Sequence, residues 1–203
     1  MRGGAKTHAV VLTALAQAIE SHDPSIKGHS ARVSSLAEVI ARRLGWKRTG
    51  LSALHLGGLL HDVGKLNLDE AVLRKPGPLD DREYGEIRRH PLAGARLIRS
   101  FEQLRPALPY ILFHHERWDG DGYPTGRFCE QIPLGARIVA VVDAFDAMTS
   151  NRPYRTRLPL QSALAELRRG AGTQFDPSVV RAFLRAWSEG ELDRFLPDER
   201  LSA

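Results

Sequence analysis

The chain has 203 residues, 42% of them hydrophobic, which suits one well-filled core in a single domain with short appendages. Its formal charge of +5 comes from basic residues interleaved with acidic ones, so it fits an anionic ligand or plain solubility and argues against a dedicated binder of DNA or RNA polymer. Cys129 is the only cysteine, which excludes a disulfide framework and a Cys-based zinc site and fits a reducing cytoplasm.

The elements follow in chain order. Met1-Arg2-Gly3-Gly4 opens a segment, 1–9, that reads as a leader or a junction with another domain. Val11, Leu12, Leu15 and Ile19 form an apolar stripe that predicts a first helix, ended by a turn at Asp23-Pro24. Thr13, Gln17 and Glu20 break that stripe, so it is no secretory signal. Val33, Leu36, Ala37, Ile40 and Leu44 predict a second helix, closed by Gly45. A third runs from about Leu51 to His61, with Gly64 as its stop. Asp80-Asp81 place acidic groups at the start of a fourth, which ends before Pro91, and Pro91 opens a fifth through Ile98.

The run Ala107 to His115 is the next helix, and the Gly-rich stretch Asp119 to Gly126 is a loop. Pro133 sits as a first-turn proline ahead of Ile138, Val141, Val142 and Phe145, and Arg168-Arg169 read as a solvated helix end. Asp176-Pro177 is a cap and first-turn proline leading into Val179, Val180, Phe183 and Leu184. Asp143 and Asp146 interrupt the apolar run at Ile138 to Val142 long before the ~20 residues that a membrane span needs. Strand-like alternation is scarce and no repeat occurs. The expected fold is all-α, one helical domain over 10–187 followed by a tail over 188–203.

The chemistry concentrates at helix ends. His61-Asp62 and His114-His115 each end an apolar helical run, and His29, His90 and Asp143 stand at the edges of three more. Neutral imidazole with carboxylate and no thiolate suits iron, manganese or zinc, and two adjacent pairs suggest more than one ion. Neighbouring residues on a helix point about 100° apart, so adjacent ligands suit a cluster in which one serves one ion and its neighbour reaches the next. A carboxylate can bridge two cations and an imidazole cannot, which makes Asp62 the natural bridge. Asp143, flanked by Val141, Val142, Ala144 and Phe145, is either a polar-face aspartate or a buried carboxylate that needs a partner. Asp146, one turn on, can support a ligand from behind. His8, His22 and His55 lack any such pattern. Glu116 and Arg117 can bond the neighbouring histidines or each other, and Asp119 and Asp121 read as turn formers.

These residues resemble a known family. His61-Asp62-Val63-Gly64-Lys65, then His90-Pro91, then HHERWDGDGYP from His114 to Pro124, are similar to the HD-GYP domains, a subgroup of the HD-superfamily metal-dependent phosphohydrolases. The similarity continues through Ile132-Pro133-Leu134, Ala136-Arg137-Ile138, Val142 to Ala147, Arg152-Pro153-Tyr154-Arg155 and Gly172 to Pro177.

The resemblance implies hydrolysis of the bacterial second messenger cyclic di-GMP to pGpG or GMP through a metal-bridging hydroxide. It implies His29, His61, Asp62, His90, His114, His115 and Asp143 as ligands of two divalent ions, iron or manganese. Some members carry a glutamate four residues before the first histidine and hold a third ion; here Ser25 stands there, with Asp23 nearby, so two are expected. Asp62 and Lys65 take catalytic roles, and Lys65 also contacts substrate, reaching a phosphoryl oxygen or protonating the departing 3′ oxygen. Arg152, Arg155 and Tyr123 are the remaining substrate contacts. Trp118 either stacks on a base or packs the loop. Two alternatives stay open: a catalytically weak module that binds the dinucleotide and signals, and a hydrolase of another cyclic dinucleotide such as the mixed GMP–AMP form. A sensor, receiver or diguanylate cyclase on another chain is the expected regulatory partner, and homodimerisation is compatible with the pattern.

Overall fold

The computed structural model describes residues 15, 18, 21–22, 28–151 and 156–195. Most of the first expected helix, the Asp23-Pro24 turn, Ser25, Arg152 and Arg155 lie outside these residues, although Leu15, Ala18, Ser21 and His22 are helical. The described α-helices are α1 (His29–Arg43), α2 (Arg48–Leu60), α3 (Glu70–Leu73), α4 (Asp81–Ile87), α5 (His90–Ile98), α6 (Leu108–Phe113), α7 (Leu134–Thr149), α8 (Leu160–Gly170) and α9 (Pro177–Ser188). Short 3-10 turns lie at Val63–Asn67, Glu102–Ala107, Cys129–Gln131 and Asp193–Phe195. Among the described residues a single bridge between Ala171 and Phe175 is the only strand-like pairing, so the fold is all-α. No described helix is long and apolar enough to cross a membrane.

The stops and starts have local causes. Gly45, at φ 82°, ends α1 in a left-handed cap: its amide bonds Arg42 O, and Trp46 N bonds Ala41 O. Asp80 and Glu83 form a reciprocal capping box at α4, and the Asp176 side chain accepts from Ser178 N ahead of Pro177 in α9. Two expectations need correction. Gly64 does not stop α2, which ends at Leu60; it lies inside the following 3-10 turn. Pro133 is the cap residue of α7 and not its first helical residue. Arg168 and Arg169 do lie exposed in the last turn of a helix, α8, whose buried Ala163, Leu164 and Leu167 face the core.

Two helical hairpins organise the molecule. The short link between α1 and α2 makes them antiparallel, so His29 at the start of α1 and His61 just past the end of α2 meet at the open end. Gly58 permits this approach, since a Cβ there would lie 2.8 Å from Ser34 Cα on α1. The pair α5 and α6 repeats the arrangement with His90 at its start and His114 past its end. Helix α7 packs along α1, while α8 and α9 cover its other side with Phe145, Leu164, Phe183 and Trp187 in one buried cluster. That packing extends to Leu192, which is fully buried.

The 3-10 turn after Asp62 is pressed against α5. A Cβ on Gly64 would lie 1.9 Å from the His90 carbonyl oxygen and 2.5 Å from Gly94 N, so the two backbones leave no room for a side chain. Gly85, inside α4, has nothing within 4 Å of an added Cβ. We therefore expect Gly64→Ala to lower stability by about 1–3 kcal/mol through overpacking, whereas Gly85→Ala raises it by roughly 0.5–1 kcal/mol through helix propensity. Urea unfolding of both variants checks this, and equal effects would contradict the packing account.

Candidate metal centre

The open ends of the two hairpins face one another. His29, His61 and Asp143 form one group of donor atoms, and Asp62, His90, His114 and His115 form another, each group's atoms lying within 4.8 Å of one another. In the first, His29 Nε2 is 3.3 Å from His61 Nε2 and 3.2 Å from Asp143 Oδ1. In the second, His90 Nε2 is 3.3 Å from His114 Nε2 and 3.2 Å from Asp62 Oδ1. Asp62 joins them, because its other oxygen, Oδ2, lies 3.4 Å from His61 Nε2. The His61 and His114 rings are 5.0 Å apart, and those of His114 and His115 are 4.0 Å apart.

One local device orients three of these rings. His61 Nδ1 bonds Gly58 O at 2.8 Å, His90 Nδ1 bonds Ile87 O at 2.7 Å, and His114 Nδ1 bonds Ile111 O at 2.8 Å. Each acceptor is a carbonyl three residues back, in the last turn of α2, α4 or α6, where helix carbonyls lack intrahelical donors. A carbonyl only accepts, so Nδ1 is the donor in each of these bonds and Nε2 is the nitrogen turned inward. His29 is oriented differently: its Nδ1 donates to Asp146 Oδ2 at 2.7 Å. Asp146 is itself gripped by Arg32, whose Nε and Nη2 donate at 2.6 and 2.9 Å.

The donor set fits divalent cations. On the His90 side, two imidazole nitrogens and a carboxylate oxygen converge, a donor set that a divalent cation would satisfy. Burial, with the neighbouring His115 and His61, holds His114 well below its ordinary pKa, and burial with His90 pushes His115 down to about 3. Both rings are thus neutral at pH 7, as a metal donor must be. Burial opposes charge on Asp62, yet Lys65, His61 and His90 hold its carboxyl well below the usual range; for Asp143, burial is likewise outweighed by His29 and His61. Burial also opposes charge on His29, but Asp143 and Asp146 raise it to about 9, so the bare protein keeps a proton where a cation fits.

The rim is built from charged and aromatic groups. Lys65 Nζ lies 2.7 Å from Asp62 Oδ2. Tyr123 stacks on His115 with centroids 4.8 Å apart, its amide bonds His115 O, and burial pushes its phenol above the ordinary range. Glu116 bonds neither Arg117 nor the histidines: its Oε1 accepts from Thr125 N and Oγ1 and clasps the loop, while Arg117 pairs with Asp119. Asp119 also accepts from Asp121 N, as a turn former does. Trp118 packs under the Arg137 guanidinium at 5.6 Å. His55 bonds Ser34 and Glu38 on the surface, and His22 bonds Leu68 O, both away from the centre.

The structure thus brings together His29, His61, Asp62, His90, His114, His115 and Asp143, with Lys65, Tyr123 and Asp146 beside them. Sequence reasoning missed Arg32. It sits one turn after His29 on α1, a spacing that could have flagged it as a neighbour.

Known proteins are similar to this chain. The HD domain family matches residues 13–179. The cyclic di-GMP phosphodiesterase response regulator RpfG of Xanthomonas campestris pv. campestris is 40% identical over 182 residues, covering 89% of this chain and 48% of that protein. The 3'3'-cGAMP-specific phosphodiesterase 3 of Vibrio cholerae is 33% identical over 189 residues, covering 93% of this chain and 40% of that protein. An HDG"Y"P protein from Bdellovibrio bacteriovorus has a similar fold, with a TM-score of 0.65 at 20% identity over 80% of this chain and 52% of that one. The chain spans about half the length, or less, of the curated relatives it matches. With this match running through every helix that carries a donor, the chain belongs to the HD domain family, and its motifs are those of the HD-GYP subgroup.

Proposed function

We propose that this domain hydrolyses a phosphodiester bond of cyclic di-GMP, giving pGpG or GMP, with two divalent ions held by the seven histidine and aspartate side chains. The observation that carries the reading is Asp62, which offers one oxygen to each donor group while Lys65 Nζ stands 2.7 Å from Oδ2. Bound there, two cations would acidify a water and offset charge developing on the phosphoryl oxygens, and iron(II) or manganese(II) suits the donors.

The chain's own residues supply the rest. His29, His61 and Asp143 would hold one ion, and His90, His114 and His115 the other, with Asp62 within reach of both groups. Arg32 and Asp146 fix the tautomer and tilt of His29, which keeps the first group in register. Lys65 is within reach of a phosphate seated between the groups and can give a proton to the 3′ oxygen as the P–O bond breaks, while water adds to phosphorus. Tyr123 covers His115 and offers an un-ionised hydroxyl to substrate. Arg152 and Arg155 belong to the same proposal as arginine forks for phosphate or guanine.

A second reading has direct support. The Vibrio cholerae relative named as specific for 3'3'-cGAMP matches 93% of this chain, so a mixed dinucleotide is the alternative substrate. A reducing cytoplasm is the proposed setting. A sensor, receiver or diguanylate cyclase unit is the proposed source of control, in keeping with a relative named as a response regulator.

Asp62→Ala is expected to lose both bound metal and turnover, read by elemental analysis and by chromatography of cyclic di-GMP digests; full metal with full activity would sink the shared-ligand assignment. Asp146→Asn is expected to weaken metal affinity about 10–100-fold, measured by chelator competition, without removing a ligand. Lys65→Met is expected to keep its metal while kcat falls about 10²–10⁴-fold. Parallel assays with the mixed GMP–AMP dinucleotide decide between the two substrates.

A further inference from the structure

Arg88 differs from the other arginines around the centre. It caps the C-terminal end of α4, one turn beyond Tyr84, whose carbonyl accepts its amide at 3.0 Å. Its guanidinium carbon lies 4.8 Å from the centroid of the Tyr123 ring and 5.9 Å from that of Tyr84. Tyr123 in turn stacks on His115, with ring planes 29° apart, so a single ring separates Arg88 from a candidate metal ligand. Arg32, Arg117 and Arg137 each give their donors to a carboxylate. Arg88 forms no ion pair among the described residues, and it is exposed.

Contact of the guanidinium carbon with an aromatic face uses none of the five N–H donors, which remain available to an anion. The C-terminal end of α4 further favours a cation there. The result is a fork at the rim, without an ion pair among the described residues and one aromatic layer from the donor groups. Such a fork suits a second anionic group on a substrate whose first anionic group is bound at the centre. A cyclic dinucleotide has two phosphodiesters, of which only one can occupy the donor groups at a time.

We propose that Arg88 binds the non-scissile phosphodiester of the cyclic dinucleotide, with Tyr84 and Tyr123 as the shelf that orients it. This rests on the cyclic-dinucleotide reading above. Arg88 thereby selects for substrates with two phosphodiesters over those with one.

The test compares metal-loaded wild type with Arg88→Gln, measuring Kd by calorimetry, steady-state kinetics and metal content. The variant is expected to raise Kd and KM for cyclic di-GMP about tenfold or more, change kcat by less than about threefold and keep its metal. Its kcat/KM for bis(p-nitrophenyl) phosphate, which has one phosphodiester, stays at the wild-type value. Arg88→Lys, with charge but no fork, recovers only part of the affinity, and Arg96→Gln, an equal loss of charge at an exposed site on α5, changes neither substrate. An unchanged Kd, an equal loss on both substrates, or loss of metal overturns the proposal. A wild type that binds cyclic di-GMP without cleaving it ends the hydrolytic reading, yet the Kd comparison still decides the role of Arg88. A wild type that binds none overturns both.

Discussion

The centre depends on a bond between an imidazole and the end of the helix before it. At the C-termini of α2, α4 and α6, a carbonyl left over by the helix takes the Nδ1 proton of His61, His90 or His114. The bond satisfies an orphan acceptor and locks the ring. It also fixes Nδ1 as the donor, so Nε2 is the nitrogen turned toward the centre. Three helix ends thus place three Nε2 atoms, His61 in one donor group and His90 and His114 in the other. The helices place the rings, and the rings in turn seal the helices.

Around this, close backbone approaches hold the two hairpins at a fixed distance. Gly58 lets α2 lie against α1, and Gly64 lets the turn carrying Lys65 lie against α5. The buried cluster of Phe145, Leu164, Phe183 and Trp187 supports α7 from behind, which sets where Asp143 and Asp146 stand. Burial of this apolar surface stabilises the fold, while the acidic groups on the same helix oppose it unless they are paired. Asp146 is paired through Arg32 and His29, and Asp143 through His29. His29 is therefore the side chain that pairs with both carboxylates.

Much of this is legible in the sequence, for identifiable reasons. The helices announce themselves through apolar spacing and through Gly45, Asp80 and Asp176, whose cap chemistry is local. The donors are legible because pairs such as His61-Asp62 and His114-His115 at helix ends are rare without a purpose. What stays hidden is contact over long separation. Arg32 grips Asp146 across 114 residues, and Glu116 turns away from its neighbours to hold Thr125. Gly64 looks like a helix stop because glycine often is one, and only the proximity of α5 explains why it has no side chain. Arg88 carries no motif at all, since its setting is made by Tyr123 from a loop far along the chain.

The loop over residues 119–126 is bonded like a structural element. Asp119 N bonds Thr173 O, Trp118 N bonds Gln174 O, Tyr123 N bonds His115 O, Thr125 N bonds Glu116, and Cys129 N bonds Trp118 O. Surface loops ordinarily absorb insertions and deletions because their ends alone are constrained. Here the interior is constrained at nearly every second residue, so the number of residues in the loop is fixed as tightly as their kind. Any lineage that diversifies this domain must do so by changing side chains on the loop, or by adding length elsewhere.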